Sequence, residues 1–302
     1  MNNKFDIISR VCLKIMFAVA FVAPFAAYAQ TDSVATFSEE TLPIELPTIN
    51  TFEAEVGRAS ILDTYLTPLR YTGVNLRLGY EGMRSTGFAP EQWIRQWRVG
   101  LEYANVQNPA GNHTMHSGMI EGSWGMMRRW RNVFTDKLDP YLGFSTRLRG
   151  GALYCSHNSN NPASAKAHWS VNLSAMAVYN THIGRLPVTL RYQAVLPVAG
   201  AFFAMEYGQS YYELSLGNTS GIVHFGWWGN RFDMDNIATA DLHFGKTVLR
   251  VGYRGHIETS YVHHINNRIF THGFVIGISG EWMRLTPGKS TIPKTRVVSA
   301  MY

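Results

Sequence analysis

The sequence predicts an all-β protein, a transmembrane antiparallel up-and-down β-barrel following a cleaved export signal. Three observations predict it. The N-terminus carries a charged-then-apolar leader, the remainder alternates apolar and polar residues in segment after segment, and aromatic residues make up 13% of the chain. Alternation with aromatic ends in an exported chain is the pattern of an outer-membrane barrel.

The leader is read from its three regions. Lys4, Arg10 and Lys14 are the positive part, Ile15 to Phe25 is an apolar run broken only by Pro24, and Ala27-Tyr28-Ala29 supplies small residues for cleavage. A spanning helix needs roughly 20 apolar residues, and Ile15 to Ala29 falls short of that. The segment is therefore a signal and not an anchor, and the mature chain is expected to start at Gln30. Without a cysteine near that point, a lipid-modified N-terminus is not expected. Later stretches are no longer, so residence in a membrane requires a closed sheet, the other structure that pairs all its backbone groups in lipid.

Removing residues 1–29 from the 302 leaves 273, enough for one large domain, with Cys155 as its one cysteine. No disulfide can form within it, and stability must come from the hydrogen-bonded wall and from lipid contact. The formal charge of +6 falls to +4 when Lys4, Arg10 and Lys14 leave together with Asp6. Residues 30–55 hold Asp32, Glu39, Glu40, Glu45, Glu53 and Glu55, no base, and two prolines, and are expected to form an extended periplasmic lead segment. The basic residues beyond it are scattered singly and form no stripe, which excludes a nucleic-acid partner.

From Gly57 onward a period of two picks out about twelve strands, with ten or fourteen as alternatives. In Tyr71 to Arg84, Val74, Leu76, Leu78 and Tyr80 oppose Asn75, Arg77, Gly79 and Glu81. In Trp93 to Val106, Trp97, Val99, Leu101 and Tyr103 oppose Arg98, Gly100 and Glu102. Ala167 to Asn180 repeats the device, as do Val188 to Ala194, Leu249 to Arg254 and Gly273 to Trp282. A weaker strand near Gly57 to Leu66 completes the count. A soluble half-buried sheet alternates too, but here Arg and Glu recur on one face and rings end the other, as membrane girdles require. The barrel is expected over residues 56–285 and an irregular periplasmic tail over 286–302. Counting back from the last strand with both termini periplasmic, the short turns Gly245 to Thr247, Asn218 to Gly221 and His182 to Leu186 fall inside. The longer connections Asn230 to Asn236, Pro197 to Gly208 and Cys155 to Ala167 fall outside, whereas Ser85 to Gln92 and Arg129 to Asp139 are long for inner turns.

Several segments resemble a known family. Glu206-Tyr207-Gly208-Gln209-Ser210-Tyr211-Tyr212-Glu213, Gly221-Ile222-Val223-His224-Phe225 and His272-Gly273-Phe274-Val275-Ile276-Gly277 are similar to an uncharacterised family of exported bacterial proteins, described as a domain of unknown function. Gly57 to Leu66 and Asn160 to Ser164 agree with it. The resemblance covers nearly the whole mature chain and implies a barrel but no activity, so no functional residue is carried over.

Function must then be read from the residues. A single charge facing lipid at mid-depth costs about 2–4 kcal/mol. Arg77, Glu81, Arg98, Glu102, Glu121, Arg147, Arg149, Arg191, Glu213, Arg250, Arg254, Glu258 and Glu281 all fall on polar faces, and are expected to line the lumen. They can form a narrow channel for small polar or anionic solutes, selected by the arginines. They can equally cross the lumen as ion pairs and make a closed structural or interaction barrel, sealed by that network or by Asp32 to Glu55 folding back. A lipid-modifying enzyme is a third reading. It needs Ser and His on one face at the outer rim, where His157 with Ser156 or Ser159, or His116 with Ser117, are the candidates; His116 and Ser117 point to opposite faces. His263 with His264 are placed in one outer loop as solvent-exposed residues, and Asp233 with Asp235 in another as turn-formers, because neither pair supplies the ligand set of a metal site. The aromatic stretch Ala201 to Tyr207 is a candidate surface for a hydrophobic ligand or partner. No catalytic residue, metal or cofactor is assigned. The expected partners are outer-membrane lipids, small solutes and the barrel-assembly machinery.

Overall fold

A computed structural model describes residues 44–131, 135–158, 161–206, 208–211, 216, 221–245, 247–282 and 296–301. The signal segment, residues 30–43 of the lead segment, Ser159, Tyr207 and Glu213 lie outside these. The elements are β1 (Ile44–Glu45), β2 (Thr48–Asp63), β3 (Tyr71–Ser85), β4 (Trp93–Gln107), β5 (Thr114–Arg129), β6 (Leu138–Cys155), β7 (Ala163–Ile183), β8 (Leu186–Phe203), β9 (Val223–Gly226), β10 (Arg231–Phe244), β11 (Thr247–Val262), β12 (Ile265–Trp282) and β13 (Arg296–Val297).

Strands β2 to β8 and β10 to β12 form an antiparallel wall, each paired to its neighbour in chain order. The wall closes where β12 pairs with β2, from Asn267↔Asp63 to Trp282↔Thr48, and where β10 pairs with β8. Closure pairs each spanning strand on both sides and so removes the open edges a membrane would not tolerate, except along Leu196 to Ala199 of β8, which have no ladder partner in β10. Ten strands therefore span, the lowest of the expected counts. Of the two further strands expected between residues 208 and 230, the described residues show only the four-residue β9, which pairs with the end of β8; residues 212–215 and 217–220 lie outside the described residues. The cause is local: Trp227 to Asn230 is a tight turn in which Asn230 N–H and Arg231 N–H donate to the Trp227 carbonyl at 2.9 and 2.8 Å. The chain re-enters the wall at Arg231. Of the expected inner turn Asn218 to Gly221, residues 218–220 lie outside the described residues, while Pro197 to Phe203 and Arg231 to Asn236 are wall where loop was expected.

The barrel also begins earlier than expected. β2 starts at Thr48, so residues 48–55 are wall and not lead segment. Their acids made them look solvated, but they alternate: Phe52 and Val56 are 60% exposed, while Glu55 between them is 3% exposed.

The alternation elsewhere settles the outer surface. Leu78, Leu101, Leu148, Phe274 and Ile278 are among the most exposed side chains, while their chain neighbours face inward. Such a band of exposed apolar residues on a closed barrel is the surface that meets lipid. At the end where β1 and β13 lie, Gly184-Arg185 is a two-residue turn and β10 and β11 are two residues apart, while residues 86–92 form a longer connection. The opposite end carries residues 64–70 and 108–113, the described residues of 156–162 and 204–222, and the two-residue turn His263-His264. Both histidines are left-handed, with φ of 49° and 65°, the backbone that a tight hairpin requires.

Inside, two apolar layers cap a polar middle. Toward the loop end, Ile61, Val106, Met115, Leu153 and Ile269 pack with Leu66 and Tyr71. Toward the terminal end, Ile49, Met83, Ile94, Met127, Tyr141, Met176 and Val178 surround Ala300 and Met301. The tail is therefore more than an irregular appendage: β13 pairs in parallel with β1, and residues 298–301 enter the barrel mouth. Arg129 Nη1 donates to the Ser299 and Ala300 carbonyls at 3.0 and 3.2 Å, and Tyr141 hydroxyl donates to the Ala300 carbonyl at 3.1 Å. A charge-assisted hydrogen bond contributes about 1.5–3 kcal/mol, so Arg129→Ala should speed removal of the last residues from the folded protein by carboxypeptidase at least about tenfold. Equal rates for the two proteins would show that these bonds do not hold the tail.

Candidate functional site

Between the apolar layers lies an ion-paired interior with two carboxylate hubs. The inward face of β3 carries Arg77, Glu81 and the fully buried Asn75 at successive alternate positions, and each neighbouring strand adds its own inward charges at matching depth.

Glu81 is the hub nearer the termini. It accepts from Gln96 at 2.7 Å and Arg98 at 2.8 Å on one oxygen, and from Arg191 and Arg250, each at 2.6 Å, on the other. Arg250 is itself clamped by Asp241, with Nε and Nη2 donating to its two oxygens at 2.7 and 2.8 Å. Its Nη1 also reaches Glu53 at 2.9 Å. Two-point pairing of a planar guanidinium with a carboxylate fixes both groups.

Glu121 is the second hub, deeper toward the loop end. It accepts from Arg77 at 2.6 Å, Arg149 at 3.0 Å and Arg254 at 3.1 Å. The network continues outward: Arg149 donates to Glu102 at 3.2 Å, Arg254 to Asp235 at 2.9 Å, and Arg147 to Asp233 at 2.9 Å and to Asp235. His168 Nε2 lies 2.7 Å from Asp233, His256 Nδ1 lies 3.0 Å from Asp235, and Arg231 donates to Glu258 at 3.1 Å.

Ten of the lumen candidates are buried: Arg77, Glu81, Glu102, Glu121, Arg147, Arg149, Arg191, Arg250, Arg254 and Glu258. Arg98 joins them at 14% side-chain exposure. Glu281 does not: it is exposed at the terminal rim and accepts from the Ser299 hydroxyl. It stands one residue before the end of β12 at Trp282. The larger omission was acidic. Glu53 and Glu55 had been assigned to the lead segment, and Asp233 and Asp235 to a loop, yet all four face inward from β2 and β10 and neutralise arginines. Their spacing of two was the available signal. Asp241, His168 and His256 were likewise legible only once the register was fixed.

Of the serine and histidine candidates, Ser159 lies outside the described residues. His116 Nδ1 is 2.8 Å from the Tyr103 hydroxyl on the outer face, whereas Ser117 is buried inside. His157 lies against His113, with ring centroids 3.7 Å apart. Among the described residues no group of three or more His, Cys, Asp or Glu side chains is arranged to hold a metal ion.

Fold and interior together define a transmembrane β-barrel with an ion-paired core. The profile of the family described as "Protein of unknown function (DUF3316)" matches residues 13–289, and the chain belongs to that family. No curated protein matches the sequence. Among solved structures, the transport unit of the autotransporter AIDA-I from Escherichia coli is 10% identical, with 87% of this chain and 94% of that chain covered and a TM-score of 0.37. The translocator domain of autotransporter NalP from Neisseria meningitidis is 12% identical, with 78% and 88% covered and a TM-score of 0.36. The β domain of the Bordetella autotransporter BrkA is 10% identical, with 79% and 100% covered and a TM-score of 0.34. No function is transferred from likenesses at this level.

Proposed function

We propose that the protein is an outer-membrane barrel closed along its axis, a structural or interaction barrel and not an open channel. The observation that carries this reading is the packing of the lumen. The arginines expected to select anions are spent on carboxylates, and the cavity left between the two hubs, beside Arg77, Glu81, Arg98 and Arg254, is about 20 Å³. That is room for about one water. Apolar layers stand above and below it, and the tail fills the terminal mouth.

The exposed apolar band favours a lipid setting, and the export signal favours the outer membrane. Two-residue turns at the terminal end and the long residue 204–222 connection opposite favour a periplasmic terminal end. Lipids and the barrel-assembly machinery are then its partners. Purified protein in a planar lipid bilayer should be electrically silent. A steady anion-selective current would overturn the closed reading in favour of a solute channel.

A further inference from the structure

The wall has one unzipped stretch, between β8 and β10. Their ladder stops at Val195↔Asp235, and β8 finds a partner again only at Gly200↔Gly226 in β9. Across this seam Leu196–Ala199 of β8 face Arg231–Met234 of β10 without pairing. Pro197 has no N–H to offer, and on its other side β8 is bulged, since Asn172 pairs with Pro197 but Val171 pairs with Ala199. The Pro197 carbonyl is taken by the indole N–H of Trp228, from the turn that precedes β10.

Unpaired backbone facing lipid costs several kcal/mol per group, and one indole offsets only part of it. Behind the indole a small cavity of about 10 Å³ is lined by Trp169, Pro197, Gly226 and Trp227 and by Ser170, Arg231 and Asp233. Ser170 Oγ is 4% exposed and has no hydrogen-bond partner. Arg231 also lines a second cavity, of about 30 Å³, with Lys166, His168 and Glu258 under the loop end. The seam thus joins an apolar, lipid-facing entrance to a buried polar floor with an unused hydroxyl.

We propose that this seam is a lateral gate admitting the acyl chain of a membrane lipid, with Trp228 as its latch and the polar end of the chain meeting Ser170 and Arg231. The occupant follows from the surroundings: the entrance opens among Trp169, Val198, Trp227 and Trp228, all exposed on the outer wall, where hydrocarbon is the medium. The proposal rests on the membrane reading above and is independent of axial closure.

The test reconstitutes the mature protein in phosphatidylcholine vesicles carrying a diazirine on one acyl chain, maps adducts by mass spectrometry, and uses heat-modifiable gel migration to select folded protein. Adducts are expected at Ser170 and Arg231. They should rise about fivefold in Trp228→Ala, the size expected for one lost hydrogen bond. Oxidising the double variant Val198→Cys/Phe232→Cys should abolish them, and a reductant should restore them. Adducts at Leu78 and Leu101 with none at Ser170 or Arg231 in Trp228→Ala would overturn the gate alone. Absence of adducts at Leu78 and Leu101 as well would overturn the membrane reading.

Discussion

Glu81→Ala should destabilise the folded barrel by about 3–5 kcal/mol, the cost of leaving a buried charge uncompensated. The expectation follows from the hub: Arg98, Arg191 and Arg250 converge on this carboxylate, which is 2% exposed. Arg250 keeps Asp241 and Glu53 as partners, but among the described residues no other carboxylate forms an ion pair with Arg98 or Arg191. With lipid outside and apolar layers above and below, water has no ready route to replace the missing charge. Glu81→Gln should lose less, because it retains one acceptor oxygen. Urea unfolding from vesicles, followed by tryptophan fluorescence, reads the difference. A change below about 1 kcal/mol, typical of an exposed pair, would show that the interior is hydrated and the closed reading wrong. Glu121→Ala should cost a similar amount. The two hubs share no arginine but line one cavity, so the double variant should depart from additivity by at least about 0.5 kcal/mol.

Gly57→Ala is expected to prevent the barrel from closing. Gly57 of β2 stands opposite Gly273 of β12, in the ladder that joins the two ends of the wall. A Cβ at Gly57 would lie 1.9 Å from the His272 carbonyl oxygen and 2.4 Å from Gly273 Cα. Both are backbone atoms, so no side chain can swing away, and relief requires breaking the ladder itself. Overpacking alone typically costs about 1–3 kcal/mol, and each ladder bond opened toward lipid adds to it. The folded, heat-modifiable fraction after refolding should fall steeply. Gly122→Ala is the control, because its Cβ would meet nothing within 4 Å, and it should fold like the parent chain. Normal folding of Gly57→Ala would show that β2 and β12 meet in a different register.

The strands with long alternation were legible before any coordinates. Val74, Leu76 and Leu78 against Asn75, Arg77 and Glu81 specify a face as well as a strand, because a one-residue slip would put charges into lipid. Arg147, Arg149, Arg191, Arg250 and Arg254 followed by the same rule. Reading failed where composition and periodicity disagreed. Glu53 and Glu55 sit in an acidic run that resembles a solvated leader, and Asp233 and Asp235 flank residues that favour turns. In each case the period of two was correct and the composition misleading.

What the sequence determined by itself is the closed antiparallel sheet and the inward side on which Arg77, Glu81, Arg147, Arg149, Arg191, Arg250 and Arg254 lie, since alternation is a local property and a charge facing lipid is costly. Only the tertiary structure decided that the charges cancel. Glu81 meets Arg191 and Arg250 across 110 and 169 residues, and the tail returns to Arg129 from 170 residues away. Such distances close only when barrel radius, strand register and depth are fixed together, and no segment of the chain carries those three quantities alone.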